Sequence, residues 1–222
     1  EYHTSPEDGR IAATEMFLYA HGLATERKAR PKADIVSILM GADVDGEVLT
    51  EGDFDGFFIL LAVAGNETTR NLISGAMLAL IEHPEQRDRL IADPALMPTA
   101  VEEFLRWVSP LIYFRRTLTR DVAVGGQQMR AGDKVAMYYP SGNRDEAIFD
   151  GAGTFDVART PNAHMAFGGG GPHFCLGSSL ARLEIRCMFE ELLRRLPDLE
   201  LDGPVMRLRS NFINGIKHMP VR

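Results

Sequence analysis

A chain of 222 residues with 45% hydrophobic and 25% charged side chains can bury a core and lacks the low-hydrophobicity, high-charge signature of disorder. Its formal net charge of −7 argues against general nucleic-acid binding. Two cysteines give no disulfide framework and suit a reducing, cytoplasmic setting, while the apolar run Phe57–Gly65 is too short to cross a bilayer and no signal peptide precedes the first charged residues.

From the N-terminus, Ala12, Met16, Tyr19 and Leu23 recur at helical spacing and predict a helix from about Glu7 to Ala24, with a second over Asp34–Met40. Gly41–Thr50 has turn-forming composition, and Thr50 with Asp53 can cap a long helix, Asp53–Glu82, that stops before Pro84. In its middle, Ala64-Gly65-Asn66-Glu67-Thr68-Thr69 is a weak point. Gly65 costs roughly 1 kcal/mol relative to alanine, and threonine hydroxyls can bond back to a carbonyl one turn earlier. Small Ala64 and Gly65 let a ligand approach the backbone, and Glu67 and Thr68 supply a carboxylate and a hydroxyl able to pass protons. An ordinary kink in a buried helix explains the same residues.

Pro84–Leu90 and Thr99–Val108 read as further helices. In the second, Glu103 and Arg106 share a face. Such pairs usually lie on the surface and contribute a few tenths of a kcal/mol. Here Phe104, Leu105 and Trp107 favour burial, and a buried pair needs a further partner. Ile112–Tyr139 is rich in β-formers, with turns at Gly125-Gly126 and Ala131-Gly132-Asp133, and strands are expected only in this middle region. Pro140–Pro161 is irregular, and so long a stretch requires a tertiary clamp or a function.

The most informative segment is Phe167-Gly168-Gly169-Gly170-Gly171-Pro172-His173-Phe174-Cys175-Leu176-Gly177, set before a helical stretch, Ser178–Leu196. Four glycines hold no side chain between the backbone and a flat ligand, and they permit positive φ. The helix behind turns its N-terminal amides and positive dipole end toward the sulfur, which favours the thiolate. Leu176-Gly177-Ser178-Ser179 lacks the lysine of a phosphate-binding loop, and no Cys-x-x-Cys pair supports zinc. A buried structural cysteine in a tight turn remains open on the residues alone. Cys187 reads as a buried helix residue.

Together these elements, in this order, resemble the C-terminal half of a cytochrome P450, a haem-thiolate monooxygenase. The fold implied is mainly α with small β-sheets, running from the long helix to the haem-binding loop and the helix after it, with residues 1–222 forming the C-terminal part of one domain. The resemblance carries Cys175 over as the axial ligand to haem b iron, and Glu67 and Thr68 as the acid–alcohol pair that serves dioxygen protonation. Glu103, Arg106 and Arg159 become a buried ion-pair triad. His173 and Arg116 fall where the family places partners for the haem propionates, and Ala64, Gly65, Phe167 and Gly177 line the cofactor. Leu111, Ile112, Tyr113 and Phe114 fall where it forms a pocket wall, although a core strand accounts for them equally.

Ala64–Arg70, Arg115–Thr119, Ser141–Glu146 and Asn214–His218 look like the actinobacterial branch that oxidises methyl-branched lipids and sterol side chains. That branch implies a hydrophobic small-molecule substrate, O2, and electrons from a ferredoxin with its NAD(P)H-dependent reductase. The chain opens on Glu1-Tyr2-His3, without an initiator methionine, and is roughly half a family member, so the propionate-binding Trp or His and Arg of the family's first half are expected to be missing. Phe54, Phe57, Phe58, Leu61 and Met77 are then expected as exposed apolar surface, with poor haem binding by these residues alone. A peroxygenase using hydrogen peroxide directly, and a truncated chain that holds no haem, are the rival readings.

Overall fold

In a computed structural model, which describes residues 5–222, the chain is mainly α-helical, with four two-stranded antiparallel sheets among those residues. Two compact units meet between Asn66 and Glu67, within one continuous helix.

The first unit opens with α1 (Pro6–Ala29). Ser5 caps it by accepting the Asp8 N–H at 3.0 Å, while the Asp8 carboxylate accepts the Ser5 N–H at 3.2 Å, and Pro6 fills the first position, where no amide proton is needed. Asp34 caps α2 (Ile35–Met40) through the Ser37 N–H, and the Arg27 guanidinium beside it, then that amide, hold its carboxyl down to about 2. A hairpin follows, β1 (Asp43–Val44) and β2 (Glu47–Val48), closed by Asp45 and Gly46 with φ of 56° and 85°; two consecutive positive values are what a two-residue hairpin loop demands. Thr50 and Asp53 cap α3 (Glu51–Glu82) reciprocally, and the helix runs without interruption through Gly65. Ala20, Ala24, Val36 and Phe54 form the buried cluster of this unit.

The second unit is built on the remainder of α3 with α4 (Pro84–Ala92), α5 (Met97–Val108) and α7 (Ser178–Arg195). On α5, Met97, Ala100, Val101, Phe104, Leu105 and Val108 repeat at three and four residues, so one face is apolar throughout; Ile185, Phe189 and Leu193 do the same on α7. Phe104 joins the two, its ring 4.6 Å from Phe189 and 6.1 Å from Phe155. Truncating such a ring costs about 3–5 kcal/mol. α3 closes on α5 where Gly75 leaves room for Val108: a Cβ at Gly75 would lie 2.7 Å from Val108 Cγ1.

Four strands fill the middle of the chain. β3 (Tyr113–Thr117) pairs with β6 (Lys134–Tyr138), and β4 (Val122–Val124) with β5 (Gln127–Met129) around Gly125 and Gly126, both at positive φ. The short helix α6 (Tyr139–Gly142) follows, and β7 (Met206–Arg207) pairs with β8 (Ile216–His218) near the C-terminus.

Three expectations need correction. Strands are not confined to the middle, since β1–β2 and β7–β8 lie toward either end; both hairpins are too short to leave an alternating pattern. Cys187 is exposed, because Ile185 and Phe189 face the core and a residue between them at 100° per step turns outward. Phe54 and Met77 are buried at 1% and 4%, each within the core of its own unit, whereas Leu60 and Val63 are the strongly exposed apolar residues of α3.

Candidate functional site

Cys175 sits half-buried two residues before the Gly177 N-cap of α7, on a loop whose shape is written in its glycines. Gly168, Gly170 and Gly171 have φ of 90°, 97° and 78°, conformations that cost little only without a Cβ. Gly169 is held by space: a Cβ there would meet Met165 Cε at 2.8 Å. The loop returns on itself through the Cys175 N–H, which donates to the Phe167 carbonyl at 3.0 Å, and the Cys175 carbonyl accepts the Ser178 N–H at 3.2 Å, joining the turn to α7. Phe167 is half-buried, with Gly177 and His173 exposed beside the cysteine.

Behind the loop lies the buried ion pair. Glu103 and Arg106 have no side-chain exposure and meet through two parallel bonds of 2.7 Å. Arg159, 10% exposed, brings Nε to 3.2 Å from Glu103 Oε2, a charge contact off the hydrogen-bond direction, while its other nitrogens donate to the carbonyls of Asp150, Gly151 and Thr154. The Glu103 carboxylate also accepts the Asp156 N–H at 2.9 Å and the Asn162 amide at 3.1 Å. Arg106 donates to the carbonyls of Asn143, Ala152 and Thr154. The structure therefore brings Glu103, Arg106 and Arg159 together and hangs the irregular segment on them.

Asn143, fully buried, carries that order to the loop. Its side chain donates to Ser109 Oγ at 2.8 Å and accepts the Met165 N–H at 2.7 Å. Ser109, at φ 46°, holds a left-handed conformation unusual for a residue with a side chain, fixed by its hydroxyl bond to the Arg106 carbonyl. Arg144 stacks over Trp107 at 4.8 Å; burial, and then the charge of Arg106, push its guanidinium below the ordinary arginine value.

The other sequence-derived candidates lie elsewhere. Ala64 and Gly65 are exposed on α3 in the first unit. In the second, Glu67 is gripped by Arg70 through two bonds of 2.7 Å at the surface, and the buried Asn71 amide donates to the Glu67 carbonyl at 2.8 Å. Thr68, half-buried, follows on the same helix. Arg116 is exposed on β3, and its charge partly offsets the upward push of burial on the Tyr139 hydroxyl. Leu111 bridges to Ile213, Ile112 exchanges backbone bonds with Phe212 and Tyr139, and the Phe114 ring lies 5.5 Å from Phe212. Phe212 thus completes the aromatic group of Tyr113 and Phe114, with only its position two before Asn214-Gly215 to flag it in the sequence.

Sequence reading missed a second network. Glu102 accepts from Arg182 at 2.6 and 2.9 Å and from His164 at 2.8 Å. Burial alone raises the Glu102 carboxyl, but the His164 and Arg182 hydrogen bonds and the Arg182 charge outweigh it and hold the group at about 2.

The donor set can be tested against a haem. Among the described residues no group of three or more His, Cys, Asp and Glu side chains converges as a metal site. The single Cys175 sulfur is a donor that fits an iron whose remaining ligands come with a macrocycle, and the open space at Gly170 and Gly171, where a Cβ would meet nothing within 4 Å, leaves room for a flat one.

Comparison with known proteins bears on this geometry. The family model described as cytochrome P450 matches residues 12–210. A protein of Mycobacterium tuberculosis named methyl-branched lipid omega-hydroxylase is 54% identical over 204 residues, covering 91% of this chain and 48% of its own length. A steroid C26-monooxygenase of Mycolicibacterium smegmatis is 42% identical over 214 residues, covering 96% of this chain and 50% of its own. The solved structure of Mycobacterium marinum cytochrome P450 CYP268A2 in complex with pseudoionone superimposes with a TM-score of 0.89 at 47% identity, over 94% of this chain and 50% of that one. The chain thus spans about half the length of the curated relatives it matches. Among the described residues no helix is long and apolar enough to cross a membrane.

Proposed function

The chain belongs to the cytochrome P450 family, and from that premise we propose that it is the C-terminal part of a single-domain haem-thiolate monooxygenase. The observation that carries the reading is Cys175, a lone thiol on a glycine loop closed by its own N–H onto Phe167 and backed by the N-terminus of α7. When bound, haem b supplies dioxygen activation and the redox chemistry, with thiolate donation favouring O–O cleavage. The protein's part is to hold and orient. Cys175 would bind the haem iron, with Phe167 and Gly177 beside it in the loop, and His173 and Arg116 would offer polar groups to the propionates. Ala64 and Gly65 keep a stretch of α3 free of bulky side chains.

Proton handling falls to Glu67 and Thr68. Glu67, exposed and paired with Arg70, exchanges protons with solvent at its carboxylate, and the Thr68 hydroxyl passes them inward. Leu111, Ile112, Tyr113 and Phe114 present the apolar wall that suits a hydrophobic substrate. Identity with an omega-hydroxylase of methyl-branched lipids and with steroid C26-monooxygenases supports hydroxylation of a methyl-branched lipid or a sterol side chain. Resemblance to the actinobacterial branch is what supports a ferredoxin and its NAD(P)H-dependent reductase as the electron donors.

The test is spectral. In the haem-loaded protein that carries this chain, Cys175→Ser is expected to abolish the thiolate band of the reduced, carbon-monoxide-bound form, and Cys187→Ser to leave it intact. Equal effects from the two substitutions would remove the ligand assignment. Incubation with a methyl-branched fatty acid or a sterol, O2 and the electron donors should yield a product heavier by one oxygen atom.

A further inference from the structure

Consecutive carboxylates on α5 point to different surroundings, 100° apart around the helix. Glu103 enters the core, while Glu102 turns toward α7 and the thiolate loop. Arg182 Nε and Nη2 donate to the two Glu102 oxygens at 2.6 and 2.9 Å, the two-bond fork that fixes both planes. His164, with a side chain 3% exposed, donates from Nε2 to Glu102 Oε2 at 2.8 Å and accepts the Ala166 N–H at Nδ1, 3.2 Å away. Donor at one nitrogen and acceptor at the other is the pattern of a neutral imidazole, assigned from its partners.

Both groups that Glu102 gathers converge on Phe167. The Arg182 guanidinium lies 4.6 Å over its ring, and the His164 ring centroid is 6.0 Å from it. The Phe167 carbonyl in turn accepts the Cys175 N–H at 3.0 Å. An unbroken series of contacts therefore leads from α5 through α7 and His164 to the backbone of the cysteine.

We propose that Glu102, Arg182 and His164 are positioning residues for the Cys175 thiolate: they hold Phe167 through two separate contacts, and Phe167 fixes the direction in which the cysteine presents its sulfur. The proposal rests on Cys175 being the haem ligand. Its electrostatics have a sign. Arg182 is a cation near the sulfur, and Glu102 neutralises it. Removing the Glu102 charge leaves the cation uncompensated and eases reduction of the iron, whereas removing Arg182 leaves the anion and opposes it.

The experiment uses the haem-loaded protein with Glu102→Gln, Arg182→Gln and Arg182→Lys. Two quantities are read: the share of reduced, carbon-monoxide-bound protein in the thiol rather than the thiolate form, and the reduction potential. Glu102→Gln and Arg182→Gln are each expected to raise the thiol share about threefold or more, the low end for residues in one hydrogen-bond network. Their potentials should shift in opposite directions, which general loosening of the fold does not produce. Arg182→Lys keeps the charge but loses the fork, so it should raise the thiol share while leaving the potential nearer the parent. It decides the matter if Arg182→Gln fails to retain haem. A parental thiol share in Glu102→Gln and Arg182→Lys, or potential shifts of the same sign in the two glutamine variants, would overturn the proposal. Retention of the thiolate band by Cys175→Ser would instead overturn the ligand reading beneath it.

Discussion

Glu102 and Glu103 stand side by side on α5, yet the regions around them differ in almost every physical respect. Glu103 is sealed from solvent and accepts from Arg106, Asn162 and the Asp156 amide, with Arg159 as a further charge at 3.2 Å. Glu102 is 28% exposed and holds Arg182, itself 38% exposed, and His164. A rotation of 100° per residue separates the two settings. The buried cluster organises an irregular segment that has little regular structure of its own, and the partly open one joins two helices to a loop. Desolvation makes the first costly to disturb, while solvent screening lowers the cost at the second.

The sharpest way to break that contrast is Glu103→Ala. It strands Arg106 and Arg159 without their anion and is expected to cost about 3–5 kcal/mol, the scale for removing one partner of a buried ion pair. Urea denaturation measures it. A loss no larger than that of a surface substitution would mean that the carbonyls around Arg106 suffice without the carboxylate.

At Glu102 the effect is smaller and depends on pH. Its folded carboxyl titrates at about 2, below the ordinary 4.5, so the folded state favours the charged form. The stabilisation is complete above pH about 4.5 and is lost as pH falls toward 2; it does not change near neutrality. Linkage sets an upper bound of about 3 kcal/mol, and screening at the exposed side of Arg182 brings the expected value to about 1–2 kcal/mol. Acid denaturation of Glu102→Gln should therefore be shallower than that of the parent below pH about 4.5, with equal slopes above it.

How much of this was legible in the sequence differs between the two regions for a physical reason. Glu103 and Arg106 are three residues apart with Phe104, Leu105 and Trp107 around them, so their shared face and burial follow from local periodicity. Arg159 came only through family resemblance, because Asn143–Asn162 takes its shape from the buried charges rather than from propensity. Glu102 and Arg182 are 80 residues apart and His164 lies in a loop, so no spacing links them. The cysteine loop was readable as a glycine turn before a helix, but its residues alone left a buried structural cysteine open, and only the company of the other motifs favoured a ligand. Helix ends marked by Ser5, Asp34, Thr50 and Pro84 were readable to within a turn, except at the far end of α1, which runs on to Ala29. The outward face of Cys187 was also available, in the spacing of Ile185, Phe189 and Leu193.

Beneath both carboxylates, the fit of α5 against α3 can be tested with Gly75→Ala. A Cβ at 2.7 Å from Val108 Cγ1 and 3.1 Å from Cγ2 forces a β-branched, buried side chain to move. Overpacking costs about 1–3 kcal/mol, and the gain in helix propensity returns up to about 1 kcal/mol. A net loss of about 1 kcal/mol is expected, and Gly75→Ala with Val108→Ala should recover part of the overlap. A stabilised single variant would show that α3 and α5 can separate without disturbing the residues that follow.

Glu67 supplies a third carboxylate against which the other two can be graded. Its partner Arg70 is bonded through two oxygens, but the side chains are 41% and 59% exposed, so the pair is a surface one. Glu67→Gln is therefore expected to change stability by about 0.5 kcal/mol or less. Its consequence should lie in the reaction, since an amide keeps the shape of the side chain but cannot carry a proton between solvent and the Thr68 hydroxyl. In the haem-loaded protein, Glu67→Gln should slow turnover, and Thr68→Ala should lower the yield of hydroxylated product per NAD(P)H while hydrogen peroxide rises. Counting product and peroxide against cofactor oxidised separates the two roles. Unchanged product yield in Thr68→Ala, with unchanged turnover in Glu67→Gln, would leave Glu67 as a surface ion pair and nothing more.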